Sequence, residues 1–368
     1  MEQRVKTVPD NSSRSSTSQS MMDLSELGLL SRFGRRGLAL AAAACGLLLA
    51  IAATPQLLGP EVRRAFGGLE RAQPAWLWLA AVCFVAALLA NALAWRATIR
   101  LCGGEIGRLA SVACYGVGSL VNSAAPARVG DAVRIGLFSR AFERSEGRER
   151  LWTTGGVFTA IGAARALCLA ALVLVAAALG ALPLWPLFAL GALVAAAMAT
   201  AFFARRRSAE RAVAHLLDAF RALGQSPGRG APTLLWIAFA TAARVVGVAA
   251  IASGLGIASP FLAAAIIVPA LDVAGIVPLT PGNLGIASGT VAMALQARGI
   301  GLTEALTAAI ALHAIETAAS IVIGGGGALF LTRFRSPSAR RRVVALASAT
   351  TSIVLVWAFS ATVLVDLV

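Results

Sequence analysis

The sequence predicts an all-α polytopic membrane protein, with about seven transmembrane helices plus two re-entrant broken helices arranged as an inverted repeat. Three observations predict it. The 368 residues are 58% hydrophobic and only 13% charged, whereas a soluble domain has about 45–50% apolar and about 25% charged residues. Seven apolar runs are long enough to cross a bilayer, which takes about 20 residues for about 30 Å of hydrocarbon. Two further apolar stretches are each split by a Gly/Pro-rich break. The mean hydropathy of +0.80 excludes a soluble enzyme, since no water-soluble core of this size hides so much apolar surface.

The seven runs cover roughly 37–57, 74–95, 153–180, 183–203, 232–255, 305–331 and 343–365. Arginine placement orients them. Arg32, Arg35 and Arg36 precede the first run, and Arg96, Arg100 and Arg108 follow the second. Arg140, Arg144, Arg148 and Arg150 precede the third, Arg205 to Arg207 follow the fourth, and Arg333, Arg335 and Arg340 to Arg342 precede the last. The opposite side holds little beyond Arg63, Arg64, Arg71 and Arg298. That bias puts the N-terminus in the cytoplasm and the C-terminus outside. Trp76, Trp78, Trp95, Trp152, Trp185 and Trp236 sit near run ends, where an amphipathic ring prefers the interface.

Outside the runs, residues 1–31 are Ser-rich and polar and read as a disordered cytoplasmic tail. A transmembrane domain follows over 32–335. Residues 336–368 form an Arg-rich cytoplasmic loop and a last transmembrane helix. Residues 208–230 have helical spacing of apolar residues and read as an amphipathic linker. The net charge of +15 is almost all arginine, and its place between apolar runs marks topology rather than a nucleic-acid partner. The five cysteines form no CxxC, and the chain has two histidines, so neither a disulfide set nor a His-rich metal site is expected.

The two broken stretches are 109–139 and 260–297. The first breaks at Asn122-Ser-Ala-Ala-Pro126-Ala-Arg128-Val-Gly130-Asp131, the second at Pro278-Leu-Thr280-Pro281-Gly282-Asn283-Leu-Gly285. Each half is ~11–17 residues, short for a full crossing at about 1.5 Å per residue. The sign rule also returns each stretch to the side it left. The first enters from the cytoplasm and the second from outside. Crossing, crossing, hairpin, crossing then describes both 37–180 and 183–331, from opposite faces. In transporters, broken helices at matching places in two inverted halves mark the binding site.

Irregular backbone at membrane depth is tolerated only where it is buried in protein or lines a watery cavity. In the first break, Arg128 and Arg134 flank Asp131. A guanidinium fork suits phosphate, so these residues read either as an anion cradle for a lipid head group or as an interfacial helix start. In the second, Thr280 and Asn283 can expose polar groups to a pathway, or the break is a kink satisfied by its neighbours. Arg165, Arg244 and Asp272 each lie ~18 Å into their runs, near mid-membrane. His313 and Glu316 share a face of the 305–331 run. A central charge is disfavoured by about 2.5–3.5 kcal/mol, so such groups pair or line a cavity. Which arginine pairs with which acid is open, as is whether the pairs only pack helices or an arginine such as Arg165 meets a phosphate while Asp272 or Glu316 releases it or couples a proton. No HExxH, GxSxG, P-loop or Asp-rich metal motif is present. The GGGG at 324–327 reads as close helix packing.

These breaks resemble the flippase-like transmembrane region of lysylphosphatidylglycerol synthases and the stand-alone bacterial proteins built from it. The carrying residues are Asn122…Pro126-Ala-Arg128-x-Gly130-Asp131-x-x-Arg134 and Pro278-x-Thr280-Pro281-Gly282-Asn283-x-Gly285, with support from Arg165 and from 301–324. The resemblance spans about 35–335. It implies a multi-pass bacterial inner-membrane protein that moves or handles lipids, with Asn122, Arg128, Arg134 and Arg165 facing the substrate path. No synthase domain follows the last span in this sequence, so lysyl transfer is not implied. The chain departs from the family's pattern at Ala164, Cys168 and Ser288, where acids are common.

The function expected is lipid translocation without enzymatic chemistry, cofactor or metal. Its partner is a phospholipid or lipid-linked substrate with an anionic or modified head group. The alternative is an accessory or scaffold subunit for a lipid- or glycan-modifying membrane enzyme. A third reading is a membrane enzyme using Asp131, Asp272 or Glu316 as acid–base groups.

Overall fold

A computed structural model describes residues 64–65, 67–69, 72–124, 128–142, 147–180, 227–275 and 284–332. The described residues are helical, without strands. Eight helices of ten or more residues follow in order: α1 Pro74–Leu101, α2 Arg108–Ala124, α3 Val129–Phe138, α4 Gly147–Ala178, α5 Pro227–Gly254, α6 Pro260–Ala274, α7 Leu284–Gln296 and α8 Leu302–Thr332. The runs expected at 37–57, 183–203 and 343–365, the tail, Thr280 and Asn283 lie outside the described residues, as does the linker expected over 208–230 except its last four residues, which open α5 instead.

Among the described residues, four helices are long and apolar enough to cross a membrane: Pro74–Leu101, Glu149–Ala178, Gly230–Gly254 and Leu302–Leu331. They coincide with four expected runs. Each reaches a little past its run, because backbone hydrogen bonding continues into flanking polar residues. Pro74 opens α1 at a position where a missing N–H leaves nothing unpaired. Both broken stretches are helix–break–helix, α2–α3 and α6–α7, and the helices of each pair pack on one another.

The packing has a regularity that no single helix announces. The most extensive contact joins α1 to α5. They run antiparallel: the Gly254 backbone faces Trp76, Gly247 faces Phe84 and Cys83, and Thr98 Oγ1 meets Thr233 Oγ1 at 3.2 Å. Exchange α1 with α5, α2 with α6, α3 with α7 and α4 with α8. Each packed pair then maps onto another: α2–α8 onto α6–α4, α1–α8 onto α5–α4, α1–α2 onto α5–α6, α3–α4 onto α7–α8, and α1–α4 onto α5–α8.

Two cores hold this frame. One lies under α6 and α7, with Phe84, Ile251, Ile267, Val291 and Leu312 buried. The other lies under α2 and α3, where Trp95 stacks on Phe138 with ring centroids 4.5 Å apart. Small residues let α2 and α8 approach closely. A Cβ on Gly324 would stand 2.6 Å from the Gly116 carbonyl oxygen, and one on Gly327 would stand 2.8 Å from the Ala113 Cα. Half of the expected Gly-run packing is therefore present. Gly325 and Gly326 would meet nothing within 4 Å.

Candidate functional site

The first break is held by a clasp. Asp131 stands in the first turn of α3, where the helix dipole favours a carboxylate. Arg134, one turn on, donates from Nη1 to Asp131 Oδ1 at 2.8 Å and from Nη2 to Ser119 Oγ at 3.1 Å. Its guanidinium lies 4.0 Å from the centroid of the Tyr115 ring, a cation–π distance. Asn122 Nδ2 donates to the same Asp131 oxygen at 3.0 Å. The clasp needs a close helix crossing, which Gly118 and Gly130 provide: a Cβ on Gly118 would sit 2.9 Å from the Gly130 carbonyl oxygen. Arg134 is 8% exposed. It joins α2 to α3 and is not open to an incoming ligand. Asn122, Asp131 and Arg134 thus bind one another across the α2–α3 crossing.

Arg128 is placed differently. It caps α3 in the left-handed region, at φ 54 and ψ 33, a conformation that costs a non-glycine residue of order 1–3 kcal/mol. It is exposed. Its Nη2 lies at the C-terminal end of α6, where a Cβ on Gly275 would approach to 2.9 Å. A cation there suits the negative end of the α6 dipole. Arg128 is also within electrostatic range of Asp272. The first break thus reaches the start of the second.

Asp272 is the hub of the second cluster. Arg244 Nη1, from α5, donates to Asp272 Oδ1 at 2.7 Å. Arg165 Nε, from α4, stands 3.2 Å from Asp272 Oδ2. That contact is an ion pair without hydrogen-bond alignment, for Oδ2 has no hydrogen-bond partner among the described residues. Arg244 Nη2 also faces Glu316 Oε1 of α8 at 3.5 Å. Arg244 and Asp272 side chains are 12% and 19% exposed, whereas those of Arg165 and Glu316 are 35% and 33% exposed. The inner pair is closed and the outer two groups are reachable. The pairing that sequence left open is therefore one chain: Arg165, Asp272, Arg244, Glu316.

Tyr115 links the two clusters, stacking on Arg134 and lying within electrostatic range of Arg244. Arg128, Arg134, Arg165 and Arg244 together face Asp131, Asp272 and Glu316. One positive charge is in excess. His313 enters no ion pair among the described residues, although it shares a face with Glu316. No group of three or more His, Cys, Asp or Glu side chains that could hold a metal ion occurs among the described residues.

Sequence reasoning missed Tyr115, Ser119 and Gly275. The signal for Tyr115 was available: it is the only tyrosine in the chain, and it lies in a stretch already singled out. Gly275 carried no signal, because its smallness matters only through a side chain 147 positions away in sequence, Arg128.

The helices and the buried ion pairs describe a multi-pass membrane protein. A comparison with curated proteins finds no match. The family model for the lysylphosphatidylglycerol synthase TM region matches residues 37–324, most of the chain and all of both broken stretches. The chain belongs to the lysylphosphatidylglycerol synthase TM region family.

Proposed function

We propose that this protein is a lipid translocase of the bacterial inner membrane, moving anionic or modified phospholipid head groups along Arg128 and Arg165. One observation carries the reading. Arg128 of the first break reaches Gly275 at the end of α6, and there an exposed arginine and an arginine one-third exposed stand around the Asp272 carboxylate. A phosphodiester has the charge and the two oxygens that a guanidinium fork prefers. Arg128 stands first from the cytoplasmic side, by the arginine bias of the loops. Arg165 is the next cation inward. Asp272 competes with the phosphate for Arg165, so the head group is held without being trapped.

The exchange regularity supports an inverted repeat. Corresponding helices α1 and α5 run antiparallel, as a pseudo-two-fold axis in the membrane plane requires. In such proteins the site lies at the repeat interface and opens alternately to each side. Here α4 and α3 belong to one half, α6 and α8 to the other. The two broken helices are then re-entrant hairpins, and the acyl chains stay in lipid while the head group crosses. N-terminus in, C-terminus out, follows from the same loop charges.

Fluorescent phosphatidylglycerol labelled on an acyl chain, in proteoliposomes treated with dithionite, tests this. Protein-dependent loss of the protected inner-leaflet signal is expected, and Arg128→Ala should reduce it at least tenfold. Equal signal in protein-containing and empty liposomes would refute the reading.

A further inference from the structure

Two carboxylates share one guanidinium in the middle of the molecule. Arg244 holds Asp272 at 2.7 Å and Glu316 at 3.5 Å. The second carboxylate is at the outer limit of hydrogen bonding. Asp272 has a further cation in Arg165; Glu316 has no other ion pair among the described residues. The neighbours of Glu316 are few. Its own helix carries His313, α5 carries Arg244, α6 carries Asp272, α4 carries Arg165 and α2 carries Tyr115. Helix α7 has no ionisable residue. On α1, Asn91 is turned to the Ala87 carbonyl and Arg96 to the Ile106 carbonyl.

The balance of this cluster depends on Arg165. With Arg165 engaged, two cations face two acids. A phosphodiester arriving at Arg165 removes one of those cations from Asp272. Asp272 and Glu316 then share Arg244 alone, because the head group also takes up Arg128, the other cation within range of Asp272; in a low-dielectric interior, like charges at close range cannot both stay ionised. One proton restores neutrality. Glu316 is the acceptor that geometry favours, with the longer contact and a side chain one-third exposed, so water can deliver the proton.

We propose that Glu316 is a proton site coupled to head-group movement. Each monoanionic phosphodiester that engages Arg165 draws one proton from water on the side of loading, and Glu316 returns it to water on the side of release. Charge balances at every stage: one negative head group and one proton cross together, and translocation is electroneutral. This inference rests on the translocase reading and adds its driving force.

The test uses the full chain in proteoliposomes with acyl-labelled phosphatidylglycerol, under either a pH step or a valinomycin-set potassium potential. A one-unit pH gradient should shift the leaflet distribution about tenfold toward the alkaline side, one proton per lipid. Voltage alone should shift nothing. In Glu316→Gln the pH response should vanish and a voltage response appear, and Glu316→Asp should restore the wild-type pattern. Redistribution driven by voltage and indifferent to pH in the wild-type protein would overturn the proton site while leaving translocation standing. No protein-dependent redistribution under either gradient would overturn both. The wild-type pair of measurements decides even if the glutamine variant fails to fold.

Discussion

The α2–α8 and α4–α6 seams occupy corresponding places in the two halves, yet they are built from opposite materials. Glycines close the first: Gly116, Gly324 and Gly327 let backbone lie against backbone. Ions hold the second, through Arg165 of α4 and Asp272 of α6 at 3.2 Å. Apolar backbone contact leaves no room for a head group and no charge to attract one. An ion pair one-third exposed on its arginine side can be displaced by another anion. Symmetry of contacts thus need not be symmetry of chemistry: one seam is closed by backbone, the other by an ion pair that a competing anion can reach.

Substitutions can break or sharpen that contrast. The largest effect belongs to Arg244 of α5, the buried cation behind the ionic seam. Arg244→Met leaves Asp272 and Glu316 without their shared cation, and removing one partner of a buried pair typically costs about 3–5 kcal/mol. A large fall in thermal midpoint in detergent is expected; an unchanged midpoint would mean that the acids are solvated. Gly324→Leu attacks the other seam. Overpacking costs about 1–3 kcal/mol, and here the obstacle is backbone, so the upper end is expected in the same melting measurement. Asn122→Ala removes one hydrogen bond from the Asp131 clasp, a loss of about 1.5–3 kcal/mol for a bond to a charged group. Arg165→Ala should change stability by less than about 1 kcal/mol, because its side chain is partly solvated. Gly325→Ala, which meets nothing within 4 Å, should stay within about 0.5 kcal/mol, and a larger effect would show that the whole Gly run packs.

Much of this was legible in the sequence, for reasons that can be named. Apolar runs set the four long helices, since a bilayer fixes their length. Pro126, Pro278 and Pro281 pointed to the breaks, since proline cannot continue a helix, and the described helices end at Ala124 and Ala274 ahead of them. That Arg165, Arg244 and Asp272 lie deep within apolar runs followed from counting along the sequence, and Glu316 stood inside the 305–331 run. Their pairing did not, because it depends on which helices are neighbours. Arg134 shows the same limit: a residue type suited to phosphate sits against Asp131, three positions away, and Tyr115. The i, i+3 spacing of Asp131 and Arg134 signalled a local pair, but only the fold shows the pair buried. The exchange of α1–α4 with α5–α8 follows the order of runs and breaks in the two halves of the sequence, but which helices touch has no counterpart in local pattern.

We propose that the ionic seam carries the head group while the glycine seam carries the structure. Translocation rate and thermal midpoint, measured on the same preparations of wild-type protein, Arg165→Ala and Gly324→Leu, separate the two roles. At least a tenfold loss of phosphatidylglycerol translocation is expected in Arg165→Ala at an unchanged midpoint, and a loss of both in Gly324→Leu. Wild-type translocation by Arg165→Ala, or a rate loss that only follows a lowered midpoint, would contradict it.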